Sequence, residues 1–342
     1  MRRNFKLLFV FALIVALTFA FAACSKTETK APVETVRWRV QSYDASPEAP
    51  GVVMLQKFAD EVYARSNGQL QIEVAVAGSL GYTGYEIGTV VSQGLIEMAQ
   101  MSATAVAGEA PEFGVLELPF MYTGDAEDAE LAAKAARPFL QQAADRVNMV
   151  YLFGHNLSRC GINSKVEMST VDSFEGKKIR TWSPILAEVI TALGGTPTTI
   201  AWAEAYTALA TGVAAANVVG TRSYIDAKFN EVTPYENMWK IIQVSYNYVV
   251  NKDAFNALPE DVQQVLWDVA AEMEDEFWAT MYYSEEQDIE EIKALGANYI
   301  EVDEAEILKA KEIAQPTVDK WLAGSGELGK QAYDAVVAAI SK

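Results

Sequence analysis

Two periodicities alternate along most of this chain. Val36-Arg37-Trp38-Arg39-Val40-Gln41 places an apolar residue at every second position, as a strand with one covered face requires. Residues 52–65 (VVMLQKFADEVYAR) switch to apolar spacings of three and four and stop at Asn67-Gly68, the pattern of a helix with its terminator. Residues 70–76 alternate again, 82–93 read as a helix closed by Gly94, and 97–101 read as a short buried strand. Strands that take turns with helices predict an α/β fold with parallel strand pairs. An alanine-rich helix over 126–146 and a buried strand over 148–153 complete a first half. The pattern then restarts, with strands expected at 159–164, 177–182, 196–200 and 217–220 and helices at 185–193, 204–210 and 225–229. A long strand over 241–250 follows. Two successive α/β halves of similar size predict two lobes with a cleft between them.

Residues 259–295 contain no interior glycine and no proline after Pro259. Leu258-Pro259-Glu260-Asp261 is a good helix start and Gly296 a good stop. One helix of that length, roughly 50 Å at 1.5 Å per residue, is long enough to cross both lobes. Two helices meeting at a kink near Tyr283-Ser284 are the alternative. Helices over 304–323 and 330–340 finish the chain, and no internal repeat or sustained heptad is present.

The beginning of the chain bears on compartment. Arg2, Arg3 and Lys6 precede an apolar run over 7–23, the form of a secretory leader, with a permanent membrane helix as the competing reading. Phe21-Ala22-Ala23-Cys24 puts small residues directly before a cysteine and resembles the bacterial lipobox, which predicts a leader over 1–23 and lipidation at Cys24. Ordinary cleavage beside an incidental cysteine is the alternative. Residues 25–34 (SKTETKAPVE) are polar and unpatterned, so 24–35 reads as a lipidated tether, and the lipid as the only membrane attachment. Lipidation would leave Cys160 as the one remaining thiol, so no internal disulfide is expected. Stability then rests on burial, which 51% hydrophobic content permits.

The formal charge is −19, and the loss of Arg2, Arg3 and Lys6 with a leader makes it more negative. No basic patch exists for nucleic acid. An anionic ligand would meet a repelling field, so its recognition must rest on a few enclosed arginines. Enzyme templates fit poorly. His155 is the single histidine and sits near a strand end, where a satisfied structural role is the expectation. No nucleophile elbow, Walker loop or HExxH is present, and Gly324-Ser325-Gly326-Glu327-Leu328-Gly329 follows a helix where a dinucleotide motif needs a strand. No enzyme, no cofactor and no histidine- or cysteine-based metal site is therefore expected, although an oxygen-only metal site leaves little trace in a sequence.

Arg159 and Arg180 stand apart because each lies in or beside a predicted strand within apolar sequence. A strand-borne guanidinium aimed into a cleft is a fixed bidentate clamp for a carboxylate, and a buried structural ion pair, for instance with Glu204, is the alternative. Trp182, Trp202, Tyr206 and Tyr224 lie near the same segments as candidate pocket walls or as core. Asn217 and Arg222 follow the helix that ends at Gly212 and are weaker polar candidates.

The segments together resemble the periplasmic solute-binding subunits of TRAP transporters, the DctP-type family, from about Val36 to the end. The resemblance rests on Asn67-Gly68, Gly78-Ser79-Leu80-Gly81, Gly94-Leu95-Ile96-Glu97-Met98 and Leu118-Pro119-Phe120 in the first half. In the second half it rests on Phe174-Glu175-Gly176-Lys177-Lys178-Ile179-Arg180, Gly194-Gly195-Thr196-Pro197 and Glu204-Ala205-Tyr206-Thr207-Ala208-Leu209. It implies a two-lobed periplasmic binding protein fold with a long helix spanning both lobes. Residues 36–156 and 246–285 would form lobe I, and 157–245 and 286–342 lobe II. It further implies a receptor that closes on a small organic acid and delivers it to TRAP membrane subunits, with an ATP-driven importer's receptor or an extracytoplasmic sensor as the alternatives. Arg180 stands where the family's carboxylate clamp stands, and Arg159 is similar to a second pocket arginine, with one extra residue between the two. Ala215-Ala216 departs from the family's Asp-Gly, and Val219 falls where a ligand-binding asparagine is expected, with Asn217 as a shifted substitute. That departure, with Trp182 beside the clamp, points to a branched or aromatic monocarboxylate.

Overall fold

The computed structural model describes residues 35–44, 46–123 and 127–341. The expected leader and the lipidation site at Cys24 lie outside the described residues. Val36–Lys342 forms one compact unit built on two sheets.

The first sheet has the order β2-β1-β3-β10-β4. Its strands are β1 (Val36–Gln41), β2 (Leu70–Ala75), β3 (Met98–Ser102), β4 (Met149–Asn156) and β10 (Ser245–Asn251). The β1 strand pairs parallel with β2 and β3, whereas β10 runs antiparallel between β3 and β4. One face is covered by α1 (Pro50–Arg65), through Leu55, Phe58 and Val62, by the short α7 (Lys252–Asn256), through Phe255, and by α8 (Glu260–Met281), through Leu266, Met273 and Phe277. Pro50 opens α1, and Asn67 and Gly68, both with positive φ, end it, as the Asn-Gly signal requires. The opposite face is covered by α2 (Ile87–Ser92), by α3 (Glu127–Arg146), whose stripe of small residues lets it approach closely, and by α11 (Gly326–Ile340).

The second sheet has the order β11-β9-β5-β8-β6-β7. It comprises β5 (Cys160–Ser164), β6 (Lys178–Thr181), β7 (Thr196–Thr199), β8 (Ala216–Gly220), β9 (Tyr235–Met238) and β11 (Asn298–Glu301). One face packs on α4 (Pro184–Ala192), started by a Ser183 side-chain cap and Pro184, and on α10 (Glu304–Gly324). The other face packs on α5 (Ala205–Thr211), α6 (Thr221–Asp226) and α9 (Glu285–Ala294). The strands β9 and β11 are four residues each, without alternation, and carry no sequence signal of their own.

The chain crosses between the sheets at 157–159 and again at 239–244. The two passages run side by side, held by Leu157 N–H to the Val244 carbonyl (2.9 Å) and Cys160 N–H to the Ile242 carbonyl (2.9 Å). Phe120 reaches across from the first half: its N–H bonds the Ile241 carbonyl at 2.9 Å, and its ring is buried in the second half's core.

Two boundary expectations need correction. The run from Pro259 is two helices, α8 and α9, separated at Tyr282–Ser284. The break coincides with the change of lobe, where Trp278 packs edge-on against Tyr282 (5.3 Å) and Gln243 donates to the Tyr282 hydroxyl (3.2 Å). The break is therefore set by tertiary packing, not by a helix breaker. The last helix, expected with lobe II, returns to lobe I, where Ala332 and Val336 join the core under α3. The glycines at 324–329 mark the one-residue corner at Ser325 between α10 and α11. No helix among the described residues is long and apolar enough to cross a membrane.

Candidate functional site

On β6 the side chains alternate, so Ile179 enters the core under α4 while Arg180 faces the other way. Arg180 is 3% exposed. Its Nε donates to the Ile200 carbonyl at 2.9 Å and its Nη1 to Asn217 Oδ1 at 3.4 Å. The guanidinium carbon lies 5.6 Å from the Trp182 ring centre and 5.7 Å from that of Trp202. Two electron-rich indole faces therefore supply part of the stabilisation that water would give the cation. Among the described residues no carboxylate pairs with Arg180, and burial pulls its pKa below the ordinary arginine value.

The pairing register sets Asn217 on β8 beside Arg180, Asn163 on β5 beside Asn217, and Glu236 on β9 beside Asn163. These residues form one buried polar row on one face of the sheet. Asn217 Nδ2, both polar atoms of the Asn163 amide, both Glu236 oxygens and Trp182 Nε1 are buried without a protein partner. Burial pushes the Glu236 carboxyl well above the usual carboxylate range.

The opposite wall comes from lobe I. Tyr85, Tyr43 and Tyr246 are electrostatic neighbours of Arg180, and the Tyr43 and Tyr246 rings lie 5.3 Å apart. Burial raises the pKa of Tyr43 and of Tyr246, so both phenols keep their protons. Sequence reasoning missed these three. A signal was available for Tyr43 and Tyr246, because one follows the end of β1 and the other opens the strand that re-enters the first sheet.

The eight expected site residues divide evenly. Arg180, Trp182, Trp202 and Asn217 come together. Arg159 instead pairs with Glu285 at the start of α9, with Nε and Nη2 each 3.0 Å from Oε2. The structural alternative therefore describes Arg159, with Glu285 rather than Glu204 as its partner. Tyr206 is partly exposed and donates to Glu231 at 2.6 Å. Tyr224 is core, with its hydroxyl on the Thr233 carbonyl at 2.9 Å. Arg222 forms a charged network with the buried Asp288 and the exposed Asp226 and Glu291. None of these three faces Arg180 with a free polar group.

His155 is buried, stacked on Phe277 (5.3 Å), with Nε2 3.3 Å from the Tyr248 hydroxyl. Burial lowers its pKa to about 4, so it is a neutral structural residue, in keeping with its expected role. Among the described residues no group of three or more histidine, cysteine, aspartate or glutamate side chains is placed to hold a metal ion.

Among the described residues the site thus combines a buried guanidinium without a carboxylate partner between two indole rings with three tyrosines from the first half of the chain. The sequence model of bacterial extracellular solute-binding protein family 7 (DctP) matches residues 42–324. A solute-binding protein of Sulfitobacter sp. strain NAS-14.1 is 26% identical over 311 residues, which is 90% of this chain and 92% of that protein. The crystal structure of DctP6, a Bordetella pertussis extracytoplasmic solute receptor binding pyroglutamic acid, superposes with a TM-score of 0.83 at 25% identity. It covers 89% of this chain and 100% of that one. A marine metagenome TRAP solute-binding protein specific for pyroglutamate, from an unidentified microbe, superposes with a TM-score of 0.82 at 26% identity, covering 89% and 99%.

Proposed function

Because this chain belongs to bacterial extracellular solute-binding protein family 7, the periplasmic receptors of TRAP transporters, we propose that it captures a small monocarboxylate between its lobes and hands it to TRAP membrane subunits. The family is one of receptors and not of enzymes. An ATP-driven importer's receptor is thereby set aside. The receptor works outside the cytoplasm, and lipid at Cys24 tethers it there.

The observation that carries the ligand class is Arg180, a buried guanidinium whose hydrogen-bond acceptors among the described residues are a backbone carbonyl and an amide. Its remaining donors suit a carboxylate fork. Trp182 and Trp202 favour a compact, flat or branched body beside that carboxylate, a reading supported by the two pyroglutamate receptors of the same fold. Asn217 acts mainly by orienting Arg180, with its free Nδ2 left for the ligand.

Closure follows from the connections. Ligand bridging both walls favours the closed form, and the paired passages at 157–159 and 239–244 absorb the rotation. A thermal-shift screen of the purified chain against monocarboxylates, dicarboxylates, sugar acids and neutral sugars tests the reading. Stabilisation confined to compact monocarboxylates is the expected result. A response only to neutral compounds would overturn it.

A further inference from the structure

Five buried side-chain atoms without a partner lie in one row of the second sheet: Asn217 Nδ2, Asn163 Oδ1 and Nδ2, and both Glu236 oxygens. The register makes their residues consecutive. Arg180 pairs with Asn217 across β6 and β8, Asn217 with Asn163 across β8 and β5, and Asn163 with Glu236 across β5 and β9. Directly opposed side chains on neighbouring strands start about 4.5–5.5 Å apart, so each member is within reach of the next.

The order of donors and acceptors along this row is as regular as its spacing. Arg180 Nη1 donates to Asn217 Oδ1 at 3.4 Å. The next unspent group is a donor, Asn217 Nδ2, followed on β5 by an acceptor, Asn163 Oδ1. After it comes a second donor, Asn163 Nδ2, followed on β9 by the Glu236 carboxyl. That carboxyl fills the space over Gly161 of β5, where an added Cβ would come within 2.2 Å of Oε1. Tyr224 and Tyr299 are electrostatic neighbours of Glu236. Their protons are spent elsewhere, the Tyr224 hydroxyl donating to the Thr233 carbonyl (2.9 Å) and the Tyr299 hydroxyl to Glu301 (2.8 Å). Cys160, a third neighbour, belongs to the core on the opposite face. Ionised or protonated, a carboxyl keeps an accepting oxygen, and Asn163 Nδ2 is the unspent donor on the adjoining strand.

Taking Arg180 as the carboxylate clamp, we propose that Asn217, Asn163 and Glu236 form a head-to-tail hydrogen-bond relay that orients the Arg180 fork, with Glu236 as its terminal acceptor. Asn163 and Glu236 are positioning residues, which act through Asn217 rather than on the ligand. Once paired in sequence, the two amides polarise each other and cannot turn. Asn217 then presents a fixed acceptor to Arg180, and the fork is set before a carboxylate arrives. The Asn217 NH2 carries two hydrogens, so one serves the relay and the other stays with the ligand.

Glu236→Gln and Glu236→Met separate a relay from a structural acid. Glutamine keeps an accepting oxygen at the same reach, whereas methionine keeps the volume beside Gly161 and accepts almost nothing. Calorimetric titration of the full chain with compact monocarboxylates, pyroglutamate first, should show Glu236→Gln within about twofold of wild type and Glu236→Met weaker by about five- to tenfold. Unliganded Glu236→Met should melt at or above the wild-type temperature, since a buried acid without a partner is gone. Asn163→Leu should reproduce the affinity loss, and joining it to Glu236→Met should add little, as links of one chain require. Should Asn163→Leu fold poorly, the comparison of Glu236→Gln with Glu236→Met decides alone. Wild-type affinity in Glu236→Met, or equal losses in both Glu236 variants, overturns the relay while leaving the clamp in place. Carboxylate binding that survives Arg180→Met unchanged overturns the clamp itself.

Discussion

Replacing Arg180 by methionine separates a ligand clamp from a structural arginine, because the two roles predict opposite effects on the unliganded protein. Methionine keeps most of the side-chain volume and contact with the Trp182 and Trp202 faces. Its cost is the loss of the hydrogen bonds to Ile200 and Asn217, which leaves two acceptors underpaired at about 1–3 kcal/mol each. Its gain is the removal of a desolvated charge without a counter-ion, worth several kcal/mol. The contributions oppose, so the unfolding free energy of unliganded Arg180→Met should stay within about 1 kcal/mol of wild type, or about 2–4 °C in Tm. Carboxylate affinity should fall by about 2–5 kcal/mol, roughly thirtyfold to several thousandfold. Calorimetric titration gives the second quantity and chemical denaturation without ligand the first. Unchanged affinity would refute the clamp, and an unliganded loss of 3 kcal/mol or more would place Arg180 in the framework.

Arg159→Met is the counterpart: it leaves Glu285 buried and unpaired, so denaturation should report a loss of about 3–5 kcal/mol. His155 and Glu117 should tilt the pH–stability profile in opposite directions. The folded His155 pKa, about 4, lies below the unfolded value, so its stabilisation is full above about pH 6.5 and is lost as pH falls toward 4. The folded Glu117 pKa, raised to about 7 by burial, makes its contribution full below about pH 4.5 and lost as pH rises through 7. Each spans about 3 kcal/mol, so His155→Gln and Glu117→Gln should each expose the other's slope in melts from pH 4 to 8, and two unchanged profiles would contradict both assignments. Gly88→Ala should cost about 1–3 kcal/mol in a urea titration, since the new methyl would lie 2.7 Å from the Ala105 carbonyl oxygen, a backbone atom that cannot swing aside.

What the sequence disclosed, it disclosed through local rules. Alternation located β1 and β2, Asn67-Gly68 ended α1, and a strand-borne arginine in apolar surroundings marked Arg180. What it concealed was non-local. Arg159 and Glu285 are 126 positions apart, and nothing near either names the other. The alignment of Asn217 beside Arg180 is a property of strand register, which becomes known only once β6 and β8 are paired. The helix break at Tyr282–Ser284 follows from aromatic packing at the lobe boundary, where no glycine or proline announces it.

The return of α11 to lobe I has a consequence for how the chain is made. The residues beneath α3, among them Ala132, Ala136 and Leu140, share their core with Ala332 and Val336 near the very end of the chain. Lobe I thus begins with the first strand and is not finished until the last helix arrives. Lobe II, threaded between, is likewise completed by β11 and α10. Neither half can be synthesised to completion ahead of the other, which departs from the usual N-terminal-first order of multidomain chains. A nascent chain of this protein carries an open hydrophobic seam for almost the whole of its synthesis. Truncation within Gly326–Ile340 would remove the helix that closes it and leave the core beneath α3 open.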